Sequence, residues 1–237
     1  MDNIKSNTSL FFQDKVRTAT IIAVIFHLVG LIGILIFKND VIAKTSALHL
    51  LLMLVLIIYT HESINRAFIF FLIIIAVTGL IIEMIGTNTG YLFGNYSYGN
   101  ILGPAIKNVP WVIGINWFMV IYCCGTTMSI LMNKLYTKLT NTDQSQNPII
   151  KKLSLIIDGA TLALLLDWLM EPVAIHLGYW KWNIDGTVPL YNYICWFVFS
   201  ILFLWIFQKL NFNKQNKFGL HLLLIQAMFF LILRTFL

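Results

Sequence analysis

Asp167 and Glu171 are the residues in this chain whose types and spacing most clearly suggest chemistry. They lie in a long apolar run, four residues apart, so both side chains share one face of a helix. A carboxylate at the centre of a membrane helix costs about 2.5–3.5 kcal/mol on insertion scales. Burial and a neighbouring like charge both favour a neutral carboxyl group, which suits a proton donor and a base in one site. The alternative is a structural hydrogen-bond network between helices.

Glu83 is a third candidate acid, about one turn from the end of its own apolar run. It either faces the same cavity as Asp167 and Glu171 or caps the turn that follows it. Asn116 and Asn192 lie inside later apolar runs. An amide in such a place either joins two helices or positions a water or a carboxylate.

Aromatic side chains are concentrated in two loops beside these acids. They form either an aromatic belt at the membrane surface or the lining of a site for an extended apolar ligand or a cation. The first loop is long and rich in glycine, which favours a lid or a re-entrant segment. The aromatic loop residues are Tyr91, Tyr96, Tyr98, Trp180 and Trp182.

The elements that must position these residues are membrane helices. The 237-residue chain is 59% hydrophobic and 11% charged, with a mean hydropathy of +0.81, whereas soluble domains carry about 25% charged residues. We predict an all-α membrane protein, a bundle of seven transmembrane helices with a long Gly/Tyr-rich loop between helices 3 and 4. The predicted spans are residues 18–37, 45–60, 67–86, 109–133, 153–177, 189–210 and 218–236.

The distribution of Lys and Arg predicts the orientation. Eleven of the 16 basic residues fall on the side that carries the N-terminus, so the N-terminus is predicted to be cytoplasmic and the C-terminus outside. This places the candidate acids and both aromatic loops toward the outer half of the membrane. Residues 1–17 form a predicted cytoplasmic tail, and residues 18–237 form a single polytopic membrane domain.

A weak internal repeat is visible within this domain. Pro110 precedes Trp117 by the same spacing as Pro189 precedes Trp196, and each pair follows a span that ends in a glutamate. This favours two copies of one helix–loop–helix unit in parallel orientation, although the identities are few. The two units would be residues 67–133 and 153–210.

Several chemistries lack their sequence signatures. The five histidines are scattered and form none of the clusters that membrane di-iron enzymes need. The chain has no Gly-x-Gly-x-x-Gly fingerprint, no Walker A motif and no Asp-rich diphosphate motif. What is left is cofactor-free acid–base chemistry on a lipophilic substrate, or transport.

Two blocks of residues resemble the membrane-integral carotenoid biosynthesis family, which includes γ-carotene 1′,2′-hydratases and bisanhydrobacterioruberin hydratases. The family often has Asp-Pro where this chain has Glu171-Pro172, a change that keeps the carboxylate. The first block is Glu83-x-x-Gly86-x-x-Thr89-Gly90-x-x-Phe93-Gly94-x-Tyr96-x-Tyr98, followed by Gly103, Val109-Pro110 and Trp117. The second is Asp167-x-x-x-Glu171-Pro172, Trp180-x-Trp182, Pro189 and Asn192-x-x-x-Trp196.

The resemblance implies a hydratase, a carbon–oxygen lyase that adds water to the terminal double bond of an acyclic carotenoid end. Asp167 and Glu171 would then be the acid–base pair, with Glu83 as third member. No cofactor or metal is implied. The implied partners are a lycopene-like or γ-carotene-like carotenoid, water, the lipid bilayer and other enzymes of the pathway, for a multi-pass protein of the cell membrane. The implied substrate-binding residues are Tyr91, Tyr96, Tyr98, Trp117, Trp180, Trp182, Asn116, Asn192 and Trp196.

Three other functions fit the same residues. A carotenoid end-group cyclase uses the same protonation but quenches the cation with an internal alkene instead of water. A proton-coupled transporter or channel would use the acids as a relay, and it predicts a polar path that continues to the cytoplasmic side. A carotenoid-binding or assembly subunit without catalytic activity would tolerate loss of the acids.

Overall fold

The structure, a computed structural model, is built mainly of helices. It describes residues 2–37, 40–139, 148–183 and 186–237, so the predicted loop positions 38–39, 140–147 and 184–185 lie outside the described residues. In chain order the elements are α1 (Asp2–Leu35), α2 (Asp40–Lys44), α3 (Ser46–Thr60), α4 (Arg66–Thr89), β1 (Tyr96–Tyr98), β2 (Ala105–Ile106), β3 (Val109–Pro110), α5 (Val112–Leu139), α6 (Pro148–His176), β4 (Trp180–Trp182), α7 (Leu190–Lys209) and α8 (Lys217–Phe236).

Six helices in the described part of the chain are long and apolar enough to cross a membrane, and the chain is therefore an all-α membrane protein. The helix α3 is apolar but has only 15 residues, fewer than the roughly 20 that span the hydrocarbon core. The predicted seventh span thus stays a prediction. The six spans are Gln13–Leu35, Arg66–Thr89, Val112–Leu135, Ile149–His176, Leu190–Lys209 and Lys217–Phe236.

The helix α5 forms the centre of the bundle. In its most apolar stretch 83% of the residues are buried, compared with 28–39% in the other spans. A helix that is apolar on all sides belongs in a core, and small residues let its neighbours approach closely. A Cβ added at Gly125 would lie 2.9 Å from the Phe207 ring, and one at Gly114 would lie 2.4 Å from the Ala76 carbonyl oxygen.

The outer helices expose large apolar side chains. On α4, Ile69, Phe70, Ile73 and Val77 are all about half exposed and recur at spacings of three and four residues, so they lie along one side of the helix. Such an apolar surface suits a lipid environment, because the backbone polar groups of the helix are already paired with each other.

The end of the bundle that carries the acids is closed by short strands, which the prediction of a purely helical chain missed. The strand β1 pairs antiparallel with β4, with Tyr96 opposite Trp182 and Tyr98 opposite Trp180. The strand β2 pairs antiparallel with β3 in a second small sheet. Segments predicted as loops are therefore tied to each other by backbone hydrogen bonds.

Two features of this closed end require glycine, namely the turn that follows α4 and a close contact between two backbone segments. The helix α4 extends to Thr89, three residues beyond the predicted end at position 86, and Gly90 caps it with φ = 70°, a left-handed conformation that favours glycine. A Cβ at Gly99 would lie 2.3 Å from the carbonyl oxygen of Gly178. Only glycine therefore lets the chain beyond β1 lie against the end of α6.

The helix α6 continues through Pro172 to His176. Proline has no N–H to donate, which leaves the carbonyl of Trp168 without its partner within the helix. That carbonyl accepts a hydrogen bond from Nη1 of Arg234 at 2.5 Å. The guanidinium carbon also lies 3.6 Å from the centre of the Trp168 ring, so Arg234 joins α8 to α6 at this point.

Candidate active site

The paired strands β1 and β4 hold aromatic hydrogen-bond donors over the ends of α4 and α6. Side chains alternate along a strand, so Tyr96 and Tyr98 share one face of β1, and Trp180 and Trp182 share one face of β4. The tyrosines reach the glutamate on α4, and the tryptophans reach the glutamate on α6. One small sheet thereby positions two buried carboxylates.

Glu83 is 4% exposed and accepts hydrogen bonds at both oxygens. Its Oε2 accepts from the hydroxyl of Tyr98 at 2.8 Å and from that of Tyr96, and its Oε1 accepts from Nε1 of Trp117 at 2.9 Å. Burial, together with the charge of Glu83, raises the pKa of each tyrosine well above the usual value for a phenol. Both phenols therefore keep their protons and donate, an arrangement that suits an ionised Glu83.

Asn192 joins the other two acids. Its Nδ2 donates to Asp167 Oδ2 and to Glu171 Oε1, each at 3.1 Å. The second oxygen of Glu171 accepts from Nε1 of Trp180 at 2.9 Å and of Trp182 at 3.1 Å. Because one amide nitrogen serves both carboxyl groups, the pair is held close together on one face of α6.

Asp167 differs from the two glutamates in one respect. It is 1% exposed, yet its Oδ1 has no hydrogen-bond partner among the described residues. Buried polar atoms are nearly always paired, so an unpaired oxygen in a cavity needs a partner from outside the protein or a proton of its own. Oδ1 is thus available for a hydrogen bond with a water molecule or for contact with a substrate.

Stacked indoles form the wall beside the acids. The rings of Trp117 and Trp196 lie 3.8 Å apart at an interplanar angle of 13°. The ring of Phe93 lies 6.2 Å from that of Trp117. The space that remains has a volume of about 30 Å³, which is enough for about one water molecule.

The cavity collects the predicted site residues with one exception. The side chain of Tyr91 is 78% exposed and lies outside the cavity, and its backbone carbonyl accepts a hydrogen bond from the hydroxyl of Tyr191 at 2.9 Å. Tyr91 therefore does not line this cavity, and its role in substrate binding stays a prediction. The residues that do line the cavity are Glu83, Tyr96, Tyr98, Asn116, Trp117, Asp167, Glu171, Trp180, Trp182, Asn192 and Trp196.

Three further lining residues were not predicted. Phe93, Ile113 and Met170 complete the wall. Met170 lies three residues after Asp167, so helical spacing alone could have placed it near the acids. Phe93 belongs to the first block of residues that carries the family resemblance, which could have marked it. Ile113 is an apolar residue in an apolar chain, and no local signal separates it from the rest of the core.

The described residues contain no group of three or more His, Cys, Asp or Glu side chains arranged to hold a metal ion. The donors around Glu83 and Glu171 are hydroxyl, indole and amide groups, which donate to both oxygens of each glutamate. The arrangement can supply and accept protons beside a water-sized space. Aromatic faces next to that space can stabilise a cation.

Comparison with known proteins bears on the family of this chain. The bisanhydrobacterioruberin hydratase of Haloarcula japonica is 25% identical over 118 residues, which are 48% of this chain and 36% of that protein. The chain thus aligns with about a third of the length of that relative. No solved structure matches the chain. The model of the family described as "Carotenoid biosynthesis protein" matches residues 44–237, which confirms the resemblance seen in the sequence: the chain belongs to the carotenoid biosynthesis protein family.

Proposed function

We propose that this protein is a carotenoid hydratase that adds water across the terminal double bond of an acyclic carotenoid end group. One observation carries the proposal. Asp167 and Glu171 are buried, share the amide of Asn192 and line a space of about 30 Å³, and Oδ1 of Asp167 has no hydrogen-bond partner among the described residues. Family membership and the hydratase relative support the choice of substrate class.

The reaction needs one neutral carboxyl group and one carboxylate. The neutral acid donates its proton to the terminal alkene, a C–H bond forms, and the positive charge falls on the tertiary carbon. The oxygen of the bound water then forms a C–O bond to that carbon, and the carboxylate takes the proton that the water releases. Transfer of one proton between the two acids restores the starting state, so the net change is the addition of one water molecule.

The unpaired Oδ1 favours Asp167 as the proton donor and Glu171 as the base. A protonated Asp167 would carry its proton on this unpaired oxygen, beside the cavity that Asp167 lines. Glu171 accepts three hydrogen bonds, and such donors favour an ionised carboxylate. Glu83 lines the same cavity, where its negative charge would stabilise the cation.

The wall next to the acids supports a carbocation intermediate. The indoles of Trp117 and Trp196 both line the cavity, and a desolvated cation on an aromatic face gains about 2 kcal/mol or more. A cyclase would share this wall, but it must exclude water from the cation. Space for one water beside the acids favours hydration over cyclisation.

A transporter is supported less well. Beyond Trp117, the core away from the acids is filled by Phe71, Phe118, Phe203 and Phe207, each fully buried. Asp158, nine residues before Asp167 on α6, is exposed and accepts a hydrogen bond from Ser154. An aromatic core of this kind would block an ion or proton path toward the other side.

We further propose that the protein is a multi-pass protein of the cell membrane with a cytoplasmic N-terminus, and that α3 provides the seventh span. The contacts of α3 support this. Ser46 at its start pairs with the hydroxyl of Tyr179 at 2.5 Å, at the end of the bundle that carries the acids. Thr60 at its end accepts from Nδ2 of Asn216 at 3.0 Å, next to the start of α8 at the opposite end.

The test is expression in cells that accumulate lycopene or γ-carotene, followed by measurement of product mass. A gain of the mass of one water per modified end supports hydration. An unchanged mass with altered absorption would instead identify a cyclase. Unmodified carotenoids in every such host would overturn the proposal.

A further inference from the structure

A second cavity, of about 110 Å³, adjoins the acid cavity. It lies among α1, α3, α5, α6 and α8, and the mechanism above does not use it. Ile113, Asn116, Met170 and Trp180 line both cavities, so these side chains form the partition between them. Met170 is the most adaptable part of that partition, since its unbranched side chain can change rotamer within a core.

The size and lining of the second cavity suit a small branched hydrocarbon. Apolar side chains from α3, α5 and α6 contribute to its wall, among them Leu50, Val120 and Leu166. An engineered apolar cavity of about 150 Å³ is large enough to bind benzene. A space of about 110 Å³ is therefore suited to roughly one five-carbon isoprene unit.

Gln226 contributes a buried polar atom to this cavity that has no partner among the described residues. Gln226 on α8 is 6% exposed, and its Oε1 has no hydrogen-bond partner among the described residues. The two histidines of the cavity are paired otherwise: Nδ1 of His27 donates to the carbonyl of Ala23 at 2.7 Å, and Nε2 of His49 lies 3.4 Å from Nε2 of His27. Gln226 is thus available to accept a hydrogen bond from a hydroxyl group on a ligand.

We propose that the second cavity holds the terminal five-carbon unit of the isoprenoid substrate beside the acids. Once the tertiary alcohol has formed, Gln226 accepts a hydrogen bond from its hydroxyl group. The identity of the substrate in this inference rests on the proposed function. The small cavity then holds the water, the larger one holds the alkene, and the reacting carbon lies at the partition beside Met170. The acid cavity alone, at about 30 Å³, has no room for both.

Binding to the purified full-length chain in detergent micelles tests the proposal without turnover. The probes are a short branched alkene that ends in an isopropylidene group and the tertiary alcohol that its hydration would give, both followed by ligand-observed NMR. Leu50→Trp fills the cavity and should weaken binding of both probes at least about tenfold. Leu48→Trp makes the same change on the same helix at a residue that is 68% exposed, and it should leave binding unchanged.

Gln226→Leu separates the two probes. It should weaken binding of the alcohol by about three- to tenfold, the effect of one lost neutral hydrogen bond, and leave alkene binding unchanged. Thermal unfolding of each variant checks the fold, and Leu50→Phe replaces Leu50→Trp if the larger side chain prevents folding. Equal binding by the Leu50 and Leu48 variants, or an equal effect of Gln226→Leu on both probes, would overturn the inference.

The two proposals can fail separately. Hydrated carotenoid in cells together with equal binding by both leucine variants would keep the hydratase and reject this cavity. Binding that Leu50→Trp alone abolishes, together with no hydrated product in any host, would keep the cavity as an isoprenoid site and reject the hydratase.

Discussion

At the scale of single residues, the site is defined by which carboxyl oxygens are paired. Glu83 and Glu171 have donors on both oxygens, whereas Asp167 has one oxygen bound and one unpaired. Three acids of similar burial therefore differ in what they can still contact. This difference assigns the proton donor in the proposed mechanism, a division of labour that the sequence left open.

Removal of either member of the acid–base pair should abolish hydration. Asp167→Asn and Glu171→Gln keep the size of each side chain but remove its ability to transfer a proton, a contribution of about 10²–10⁴ in rate. Product formation in carotenoid-accumulating cells is the measurement, with protein level followed by immunoblot. Asp158→Asn on the same helix is the control and should act as wild type. Retained activity in both pair variants would reject the assignment.

Loss of the shared amide should affect stability as well as activity. Asn192→Leu leaves two buried carboxyl groups without their common donor, and hydrogen bonds to charged groups contribute about 1.5–3 kcal/mol each. We expect a fall of about 2–4 kcal/mol in the free energy of unfolding in detergent. Asn116→Leu is the matched control, since Asn116 lines the cavity without a carboxylate contact among the hydrogen bonds described. An equal loss in both variants would mean that Asn192 acts through packing alone.

At the scale of elements, the sequence predicted helices well and their connections poorly. Long apolar runs define the spans, because length and hydropathy are local properties. Pairing of β1 with β4 depends on residues about 80 positions apart in the sequence. No local pattern in two segments of three residues predicts such a contact. The same limit applies to Arg234, whose hydrogen bond to Trp168 joins helices that the sequence treats separately. Residue type alone also does not separate Tyr91, which lies outside the cavity, from Tyr96 and Tyr98, which line it.

Packing of α4 against α5 positions the donor that Glu83 needs. A Cβ added at Gly79 would lie 2.6 Å from Cβ of Trp117, closer than side-chain carbons approach. Gly79→Ala should therefore displace Trp117, weaken its hydrogen bond to Glu83 and cost about 1–3 kcal/mol of stability through overpacking. Thermal unfolding and product formation are the measurements. Gly30→Ala on α1 is the control, because its nearest neighbour is a Phe229 ring atom at 3.3 Å. A Gly79→Ala variant as stable and active as that control would contradict this packing.

The contact between α6 and α8 offers a double-mutant test. Pro172→Ala supplies an N–H that can donate to the carbonyl of Trp168 within the helix, in place of Arg234. Arg234→Gln should therefore destabilise the wild-type background by about 1 kcal/mol and the Pro172→Ala background by less. Equal losses in the two backgrounds, measured by thermal unfolding in detergent, would show that Arg234 does not act through this carbonyl.

At the scale of the whole molecule, the packing of α1 against α8 bears on the topology. Oγ1 of Thr20 lies 2.8 Å from Nδ1 of His221 near the start of α8, and Ile34 packs with Leu233 near its end. The two helices therefore run parallel, so both end on the side that carries the acids. The chain must then return across the bundle before α4 begins, and α3 is the segment available for that crossing.

The proposed repeat of residues 67–133 and 153–210 is compatible with one contact in the structure. Trp117 of the first unit stacks on Trp196 of the second.

Cysteine labelling in intact cells tests this topology directly. The three native cysteines are buried, so new cysteines at exposed positions report their own side of the membrane. With a membrane-impermeant maleimide, we expect Tyr91→Cys and Thr235→Cys to be labelled from outside, because both lie at the acid-bearing end. Glu62→Cys, at the other end of α4, should be labelled only after the membrane is permeabilised. The reverse pattern would reject the orientation predicted from Lys and Arg. Labelling of Tyr91→Cys and Thr235→Cys from opposite sides would reject α3 as a span, since parallel α1 and α8 require both to face the same side.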